Sequence, residues 1–437
     1  MKSEIAVIGA GSTGLFTALD LKLRGFDVSL YDRYVAGAGT SGRFHGLLHS
    51  GARYAVHDRA AAIECREESS VLRKIAGHCI NDTGGLFVSM NRRDSEYGEA
   101  LRKALDDCGI RHRSLDADET VSDEPNLSRD VLESVAVPDA VLLASDFLSS
   151  LALSCIAAGV HYRPFLELQS SELDNGAIDS LTFRSTIGGE SVTENTDFVV
   201  NATGPWAGET SALLGARFDM MPIAGIMMVL GDRYASKVVN RMREPSDGDI
   251  IVPYDLHSIL GTTASITDCP DRVNVEDADE SLLIEEASAM IPSIAGARKI
   301  RTYASVRPLV MSQNGDAPPD KPRSSTRDFI IRAGEETGVK NLAIVGGGKM
   351  TTSRAMGETA ANRVSSSFGM KNTSKTSSFK LADPRVPDGA DIVTSSGSGI
   401  VLAALRALKG CIDEERARAM LVLASVNGSS GKILRRK

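Results

Sequence analysis

The stretch SGRFHGLLHSGARY, residues 41–54, concentrates residue types that can do chemistry. Two histidines and two arginines stand among glycines. A histidine with its ordinary pKa of about 6.5 suits proton transfer near neutral pH. The planar arginine fork suits phosphate, because it donates paired, charge-assisted hydrogen bonds. By itself the stretch is typical both of an active-site loop and of a glycine-rich connection with polar side chains, so its neighbours in the chain must decide between the two.

A dinucleotide-binding signature lies just upstream, where Gly9, Gly11 and Gly14 form G-x-G-x-x-G between a strand and a helix. These glycines permit a tight turn, the approach of a pyrophosphate to the helix N-terminus, and close packing of helix on sheet. Asp32 ends the next strand, where it can accept hydrogen bonds from ribose hydroxyls and would repel a 2′-phosphate. The context makes the signature strong, although it does not separate NAD from FAD.

The elements that must position these residues follow from hydrophobic patterns and glycine stops. Short apolar runs predict buried strands, 3.6-residue periodicity predicts helices, and Asn175-Gly176 predicts a hairpin turn. Polar composition predicts loops or linkers over 311–328 and 365–378, and helical stretches are expected near 399–409 and 413–426. The predicted strands are 4–11, 27–32, 84–90, 196–204 and 341–348, and the predicted helices are 13–25, 59–76, 97–107, 145–158, 279–290 and 351–364.

Composition narrows the class of protein. The 437 residues carry a net charge of −8, which argues against a dedicated nucleic-acid surface. The chain lacks a signal-peptide pattern and a run of about 18 apolar residues, so we expect a cytoplasmic protein without a transmembrane segment, with peripheral contact at the inner face of the cell membrane left open. The six cysteines include no C-x-x-C, so we expect free thiols and no metal site.

Four longer segments resemble one family. They are GAGTSGRFHGLLHSGARYAV (37–56), YASVRPLV (303–310), STRDF (325–329) and GGGKMTTSRAMGE (346–358). With the nucleotide signature, they resemble FAD-dependent glycerol-3-phosphate dehydrogenase, most closely the large (A) subunit of the anaerobic type. The resemblance implies an α/β fold, that of the two-domain FAD oxidoreductases of the D-amino-acid-oxidase type, with a Rossmann-like FAD domain and a mixed-sheet substrate domain.

The resemblance also implies a division of the chain. We expect a discontinuous FAD-binding domain, a substrate domain inserted into it, and a polar linker with a short helical C-terminal extension that lacks an iron–sulfur cluster motif. The FAD-binding domain is expected to take residues 1–85, 145–215 and 330–365, the substrate domain 86–144 and 216–329, and the extension 366–437.

The implied activity is oxidation of sn-glycerol 3-phosphate to dihydroxyacetone phosphate by hydride transfer to flavin N5. His49 matches the residue expected to act as the base. The residues expected to bind the substrate are Arg53, Tyr54, Arg307, Arg327 and Lys349. The remaining matches concern the cofactor FAD: the contacts implied are Gly9, Gly11, Gly14, Asp32, Thr40, Ser41, Gly42, Leu168, Gly204, Gly347, Gly348, Met350 and Thr351.

Other conspicuous residues receive weaker expectations. His45 precedes His49 by four residues, but no third ligand is spaced near it, so we expect neither a metal site nor a catalytic role there. Trp206, the only tryptophan, is expected in the core. Asp255 and His257 are candidates for the pocket only.

The chain departs from the family in one respect. The anaerobic large subunit usually continues into a cysteine-rich iron–sulfur domain, whereas Cys411 is the only cysteine here beyond residue 270. We therefore expect the alcohol half-reaction and leave the electron acceptor open among a quinone, a partner iron–sulfur subunit, oxygen and another carrier.

Two other functions stay open. One is an FAD-dependent dehydrogenase or oxidase of a 2-hydroxy acid such as L-2-hydroxyglutarate, whose family has a similar glycine-rich histidine motif. The other is a non-catalytic FAD subunit of an electron-transfer complex. The VRPL, TRDF and GGKMTT motifs favour the phosphate substrate.

Overall fold

The computed structural model describes residues 3–311 and 328–383. Helices and strands alternate in the first part of the chain, and antiparallel strands dominate its middle. The helices are α1 (Ser12–Leu23), α2 (Arg59–Ala76), α3 (Arg92–Asp107), α4 (Ala117–Asp123), α5 (Ala144–Ala157), α6 (Ala207–Leu213), α7 (Asp277–Met290) and α8 (Ser353–Ser367).

The strands form four sheets, two large and two small. They are β1 (Glu4–Ile8), β2 (Asp27–Asp32), β3 (Leu47–Leu48), β4 (Ile80–Asn81), β5 (Gly85–Ser89), β6 (Arg113–Asp116), β7 (Glu133–Val137), β8 (Ala140–Leu142), β9 (His161–Pro164), β10 (Leu166–Asp174), β11 (Ala177–Ser185), β12 (Ser191–Asn195), β13 (Phe198–Asn201), β14 (Met220–Leu230), β15 (Val238–Arg241), β16 (Ile250–Tyr254), β17 (His257–Gly261), β18 (Ser265–Ile266), β19 (Lys299–Val310), β20 (Phe329–Ala333) and β21 (Leu342–Gly347).

The first large sheet has the order β20-β21-β13-β1-β2-β9 and is parallel except for β20. Its central strand β1 is apolar along most of its length because both faces of the sheet are covered: Val7 packs in a cluster with the helices α1, α5 and α8, and Ile8 in a cluster with β10 and β11. Val7, for example, is fully buried between Leu30 and Val200. The helices α1 and α8 pack closely on each other, since a Cβ atom on Gly357 would lie 2.6 Å from Cβ of Phe16.

The second large sheet is mixed. Its order is β18-β14-β17-β16-β15-β5-β7-β6, with β19 also paired to β14. The strands β14 and β19 run antiparallel from the pair Met220–Val310 to the pair Leu230–Lys299. Among the described strands of this sheet, β15 and β5 form the one parallel pair. Helix α7 covers one face through an apolar cluster that includes Leu283.

The predicted elements are confirmed in type and place. The predicted strand 27–32 and helix 59–76 have the observed bounds, and α3 begins five residues before the predicted 97–107. Asn175 and Gly176 both have positive φ, at 50° and 78°, as expected of a two-residue hairpin. The domain boundaries stay a prediction, and the predicted loop 311–328 and the tail helices lie mostly or wholly outside the described residues.

The segment 365–378, expected to be a polar linker, packs against the folded protein. Helix α8 continues to Ser367, and the chain then packs back along the parallel sheet's helices. Ser374 donates to Asp20 at 2.5 Å, Thr376 is buried, and Leu381 joins the main core. The polar composition predicted a solvated linker. The prediction is wrong because these hydroxyls form hydrogen bonds with buried charged side chains instead of with water. Within the described residues, no helix combines the length and the apolar character needed to cross a membrane.

Candidate active site

A cavity of about 1690 Å³ is lined by residues of both large sheets. The parallel sheet contributes the turns that follow β1, β2, β13 and β21. The mixed sheet contributes the middle of β14 and the second half of β19. The stretch 41–54 supplies several further wall residues. Ligand sites of open α/β sheets lie at these carboxyl ends of strands, so the cavity is the candidate site.

The turn after β1 has no room for side chains. A Cβ atom on Gly9, whose φ is +103°, would lie 2.6 Å from the carbonyl oxygen of Ala202. One on Gly14 would lie 1.8 Å from the carbonyl oxygen of Gly9, so Gly14 packs behind the turn rather than lining the cavity. Gly11 lines it directly at the start of α1. This cradle fits a pyrophosphate at a helix N-terminus.

The carboxylate of Asp32 lies beside that turn. Its two oxygens accept backbone hydrogens from Ala10 at 2.7 Å and from Tyr34 at 2.8 Å. Burial raises the pKa of this carboxyl, and the two backbone donors oppose the shift. Each oxygen has a second lone pair, so Asp32 can still accept hydrogen bonds from ribose hydroxyls.

The first half of the motif at 37–56 ties the two sheets together. The Thr40 hydroxyl donates to the Val306 carbonyl at 2.7 Å. The Ser41 hydroxyl accepts the backbone N–H of Ser12 at 3.0 Å, so it lies at the N-terminus of α1. Thr40 and Ser41 line the cavity, whereas Gly42 does not: a Cβ atom there would lie 2.3 Å from the carbonyl oxygen of Gly37.

The C-terminal glycine turn closes another side of the cavity. Gly347 and Gly348 have positive φ, at +83° and +79°, and a Cβ atom on Gly348 would lie 2.2 Å from the sulfur of Met356. Only glycine therefore suits the turn from β21 toward α8. The other expected cofactor contacts that line the cavity are Leu168, Gly204, Met350 and Thr351.

His49 lies in the cavity wall and is 9 % exposed. Its backbone N–H donates to the hydroxyl of Thr351 at 3.3 Å, which joins the segment 37–56 to the segment 346–358. The next residue, Ser50, donates its backbone N–H to the buried carboxylate of Asp139 at 2.8 Å. The ring of Tyr54 lies 5.3 Å from that of His49. Backbone hydrogen bonds from His49 and from Ser50 therefore fix the position of the chain at the histidine.

Three of the expected cationic residues reach the cavity. Arg53 is paired with Asp249 at 3.1 Å, and its Nη1 is buried. Lys349 Nζ is also buried, 5.0 Å from the centre of the Tyr54 ring and 3.9 Å from the Glu64 carboxylate. In the part of the chain that the structure describes, neither nitrogen has a hydrogen-bond partner.

Arg307 is the third of these cations. Its guanidinium donates to the Thr262 hydroxyl and, at 3.1 Å, to the Thr263 carbonyl. These hydrogen bonds hold the Arg307 guanidinium in place at the cavity wall. Arg327, the remaining expected phosphate contact, lies outside the described residues.

Some expectations about single residues are wrong. Trp206 is not in the core: it lines the cavity, its indole donates to Asp271 at 3.1 Å, and the Arg33 guanidinium lies 4.4 Å from its ring centre. Asp255 and His257 do not line the cavity: Asp255 lies in the turn between β16 and β17, and His257 begins β17.

His45, for which we expected neither a metal site nor a catalytic role, lines the cavity. Its ring lies 6.0 Å from that of His49, and its Nδ1 accepts the backbone N–H of Leu47. The sequence also showed no sign of three buried or partly buried carboxylates that lie behind the cavity wall and contact its residues or their neighbours: Asp139, Asp249 and Glu64. No short motif marks them, since each pairs with a residue distant in sequence.

Comparison with known proteins agrees with this geometry. Residues 4–363 match the FAD dependent oxidoreductase family, DAO. The A1 subunit of the anaerobic glycerol-3-phosphate dehydrogenase of Haloferax volcanii is 36% identical over 398 residues, which cover 89% of this chain and 67% of that protein. The corresponding subunit of the anaerobic enzyme from Escherichia coli K12 is 32% identical over 399 residues, covering 89% and 71%.

A solved structure shows the same fold. The glycerol-3-phosphate dehydrogenase from Bacillus halodurans, complexed with FAD, superposes with a TM-score of 0.69 at 20% identity, covering 98% of this chain and 76% of that one. The two-domain FAD oxidoreductase fold expected from the sequence is therefore confirmed, and FAD is the cofactor of the family. The chain belongs to the DAO family of FAD-dependent oxidoreductases and, within it, to the large (A) subunits of the anaerobic glycerol-3-phosphate dehydrogenases.

Proposed function

We propose that the protein oxidises sn-glycerol 3-phosphate to dihydroxyacetone phosphate, with FAD as its cofactor. One observation carries the proposal. His49 shares a cavity wall with Arg53 and Lys349, whose buried nitrogens Nη1 and Nζ have no hydrogen-bond partner in the described residues. A phosphorylated secondary alcohol requires this combination of a base for its hydroxyl and cations for its phosphate. The names of the relatives support the same substrate.

The residues of the cavity suit FAD. The turns after β1 and β21 place glycine backbone at the cavity wall, where Gly9 and Gly347 have no room for a Cβ atom, and Asp32 presents acceptors beside the first turn. The pyrophosphate would lie at Gly9 and Gly11, and the flavin against residues 347–351. When bound, FAD supplies the two-electron acceptor for the hydride that leaves C2 of the substrate.

His49 would take the hydroxyl proton as the hydride leaves, so that the alcohol carbon becomes a carbonyl carbon. A positioned base contributes about 10²–10⁴-fold in rate. The backbone contacts to Thr351 and Asp139, and the neighbouring Tyr54 ring, restrict where the imidazole can lie.

The cations would hold the phosphate. Arg53 and Arg307 offer guanidinium donors from two different elements, and Lys349 adds an ammonium group beside Tyr54. Burial strengthens such contacts because water does not compete for the donors. Arg327 would be a fourth contact by resemblance.

The reduced cofactor must pass its electrons to an acceptor. The relatives are called subunits, which supports a partner for this chain as well. We propose that a partner carrier or a quinone accepts the electrons from the reduced cofactor. The cytoplasmic location and peripheral membrane contact stay predictions.

Anaerobic reduction of the purified flavoprotein tests the proposal. We expect glycerol 3-phosphate to abolish the visible absorbance band of oxidised flavin, and unphosphorylated glycerol to do so only weakly. L-2-hydroxyglutarate serves as the competing substrate. Bleaching by the hydroxy acid and not by glycerol 3-phosphate would replace the proposal with the hydroxy-acid alternative, and bleaching by neither would favour a non-catalytic FAD subunit.

A further inference from the structure

Asp249 is the centre of a buried charge network at the rim of the cavity. It lies immediately before β16 and is fully buried. One oxygen accepts a hydrogen bond from Nε of Arg243 at 2.8 Å and lies 2.7 Å from Nη2 of the same guanidinium. The other accepts the backbone N–H of Ser246 at 2.5 Å and Nη2 of Arg53 at 3.1 Å. Three hydrogen bonds and the second contact of the Arg243 guanidinium thus occupy both oxygens of the carboxylate.

The network fixes one side of the Arg53 guanidinium and leaves another side unused. Nη2 is held by Asp249, whereas the buried Nη1 has no hydrogen-bond partner among the described residues. A buried donor without a partner is costly, so it is suited to a ligand that supplies an acceptor. Arg53 lines the cavity, and Asp249 and Arg243 do not.

The net charge of Arg53 and its partners also determines how well this group attracts an anion. A guanidinium paired one to one with a buried carboxylate has little net charge left to attract an anion. Here Arg243 shares the carboxylate of Asp249, so the three groups together carry one positive charge. Glu286 also pairs with Arg243, at 2.9 Å, but its side chain is 30% exposed, and water screens its charge more strongly.

We propose that Asp249 is a positioning residue that holds Arg53 against the phosphate of the substrate, and that Arg243 keeps this pair positively charged. The inference rests on the proposed function, because it assigns Arg53 to the phosphate. Neither Asp249 nor Arg243 touches the substrate; both act through Arg53.

The replacement Asp249→Asn tests the positioning directly. Whichever way the amide is turned, its NH2 group faces a donor, either Arg243 or the pair Arg53 and Ser246, so the network cannot re-form. We expect KM for glycerol 3-phosphate to rise at least about tenfold, the factor that corresponds to one lost charge-assisted hydrogen bond, with kcat within about threefold of wild type. FAD content should not change.

A matched control is Asp94→Asn. Asp94 on α3 is another buried carboxylate paired with an arginine, Arg241 of β15, at 2.5 Å. Neither residue lines the cavity. We expect this variant to lose thermal stability and to keep the KM of the wild type, which separates positioning from general support of the mixed sheet.

Two further variants keep the test decisive if Asp249→Asn folds poorly. Arg243→Gln, at a residue that is 27% exposed, should raise KM several-fold, and more at low ionic strength, although the side chain makes no cavity contact. The double variant Arg53→Gln/Asp249→Asn should have the same KM as Arg53→Gln alone, because Asp249 acts only through Arg53.

Failure of this inference can be told from failure of the proposed function. If the wild type is reduced by glycerol 3-phosphate but Asp249→Asn changes KM no more than Asp94→Asn does, or if the effects of the Arg53 and Asp249 variants simply add, the positioning role is overturned. If the wild type is not reduced at all, the proposed function falls. Calorimetric titration with inorganic phosphate then decides separately whether Asp249→Asn weakens anion binding, and equal affinity in both proteins overturns the role.

Discussion

Glu68 and Arg354 form a two-point ion pair inside the protein. The Arg354 Nε lies 2.8 Å from Oε2 of Glu68, and its Nη2 lies 2.6 Å from Oε1. Both side chains are more than nine-tenths buried. Glu68 is on α2, which follows the His49 stretch, and Arg354 is on α8, which follows the C-terminal glycine turn. The pair therefore fixes the distance between the two segments that carry the candidate base and the candidate flavin contacts.

Replacing Glu68 with alanine should destabilise the protein strongly. Among the described residues, the change leaves the buried guanidinium with Glu358 and Thr376 as its side-chain partners, and breaking a buried pair costs about 3–5 kcal/mol. Denaturant unfolding of the FAD-loaded protein measures the loss. The neighbouring variant Glu67→Ala is the control, because its pair with Arg66 is exposed and should contribute at most about 1 kcal/mol. Equal losses in the two variants would contradict the prediction.

The variant His49→Ala should slow reduction of the flavin by glycerol 3-phosphate about 10²–10⁴-fold while retaining FAD, because it removes the base but no cofactor contact. Anaerobic stopped-flow absorbance gives the rate. His78→Ala is the control, because the His78 ring forms a hydrogen bond with Ser150 and neither residue lines the cavity. An unchanged reduction rate in the His49 variant would remove this residue as the base.

The variant Arg307→Ala should act mainly on substrate binding. Loss of a charge-assisted contact to phosphate costs about 1.5–3 kcal/mol, so KM should rise by about one to two orders of magnitude, with a smaller change in kcat. Arg301→Ala is a matched control on the same strand, β19, at an exposed position outside the cavity. Steady-state kinetics with an artificial electron acceptor measure both. A fall in kcat at constant KM would point to a role other than phosphate binding.

Asp139 should make the stability of the protein depend on pH. Burial raises the pKa of this carboxyl above its usual 3.8, against the opposing hydrogen bonds from Ser50. The folded state therefore binds the proton more tightly than the unfolded state, and the group costs stability progressively as the pH rises from about 4 through the folded-state pKa. Asp139→Asn removes this dependence.

Thermal unfolding of the wild type and of Asp139→Asn over a pH series tests the sign. The unfolding midpoint of the variant should rise relative to that of the wild type as the pH increases. This holds even if the substitution lowers the midpoint by a constant amount at every pH. A difference between the two midpoints that stays constant, or that moves in the opposite direction, would contradict the raised pKa.

The sequence by itself determined the elements and the glycine turns of this protein. Strand β1, the Gly9–Gly14 turn and α1 follow from apolar runs, periodicity and glycine placement, which act over a few residues. The motifs around His49, Arg307 and Lys349 were found for the same reason: each is a short segment whose residues are adjacent in the chain. All three residues do line one cavity.

The tertiary structure alone decided which side chains meet. Asp139 reaches the backbone of Ser50 across 89 residues, and Asp249 reaches Arg53 across 196. Trp206 could equally have filled a core, because an indole is apolar enough for the interior and polar enough for a wall. These outcomes depend on how elements that are distant in sequence pack against one another. That packing is the sum of many weak, long-range contacts, and no short run of the sequence encodes it.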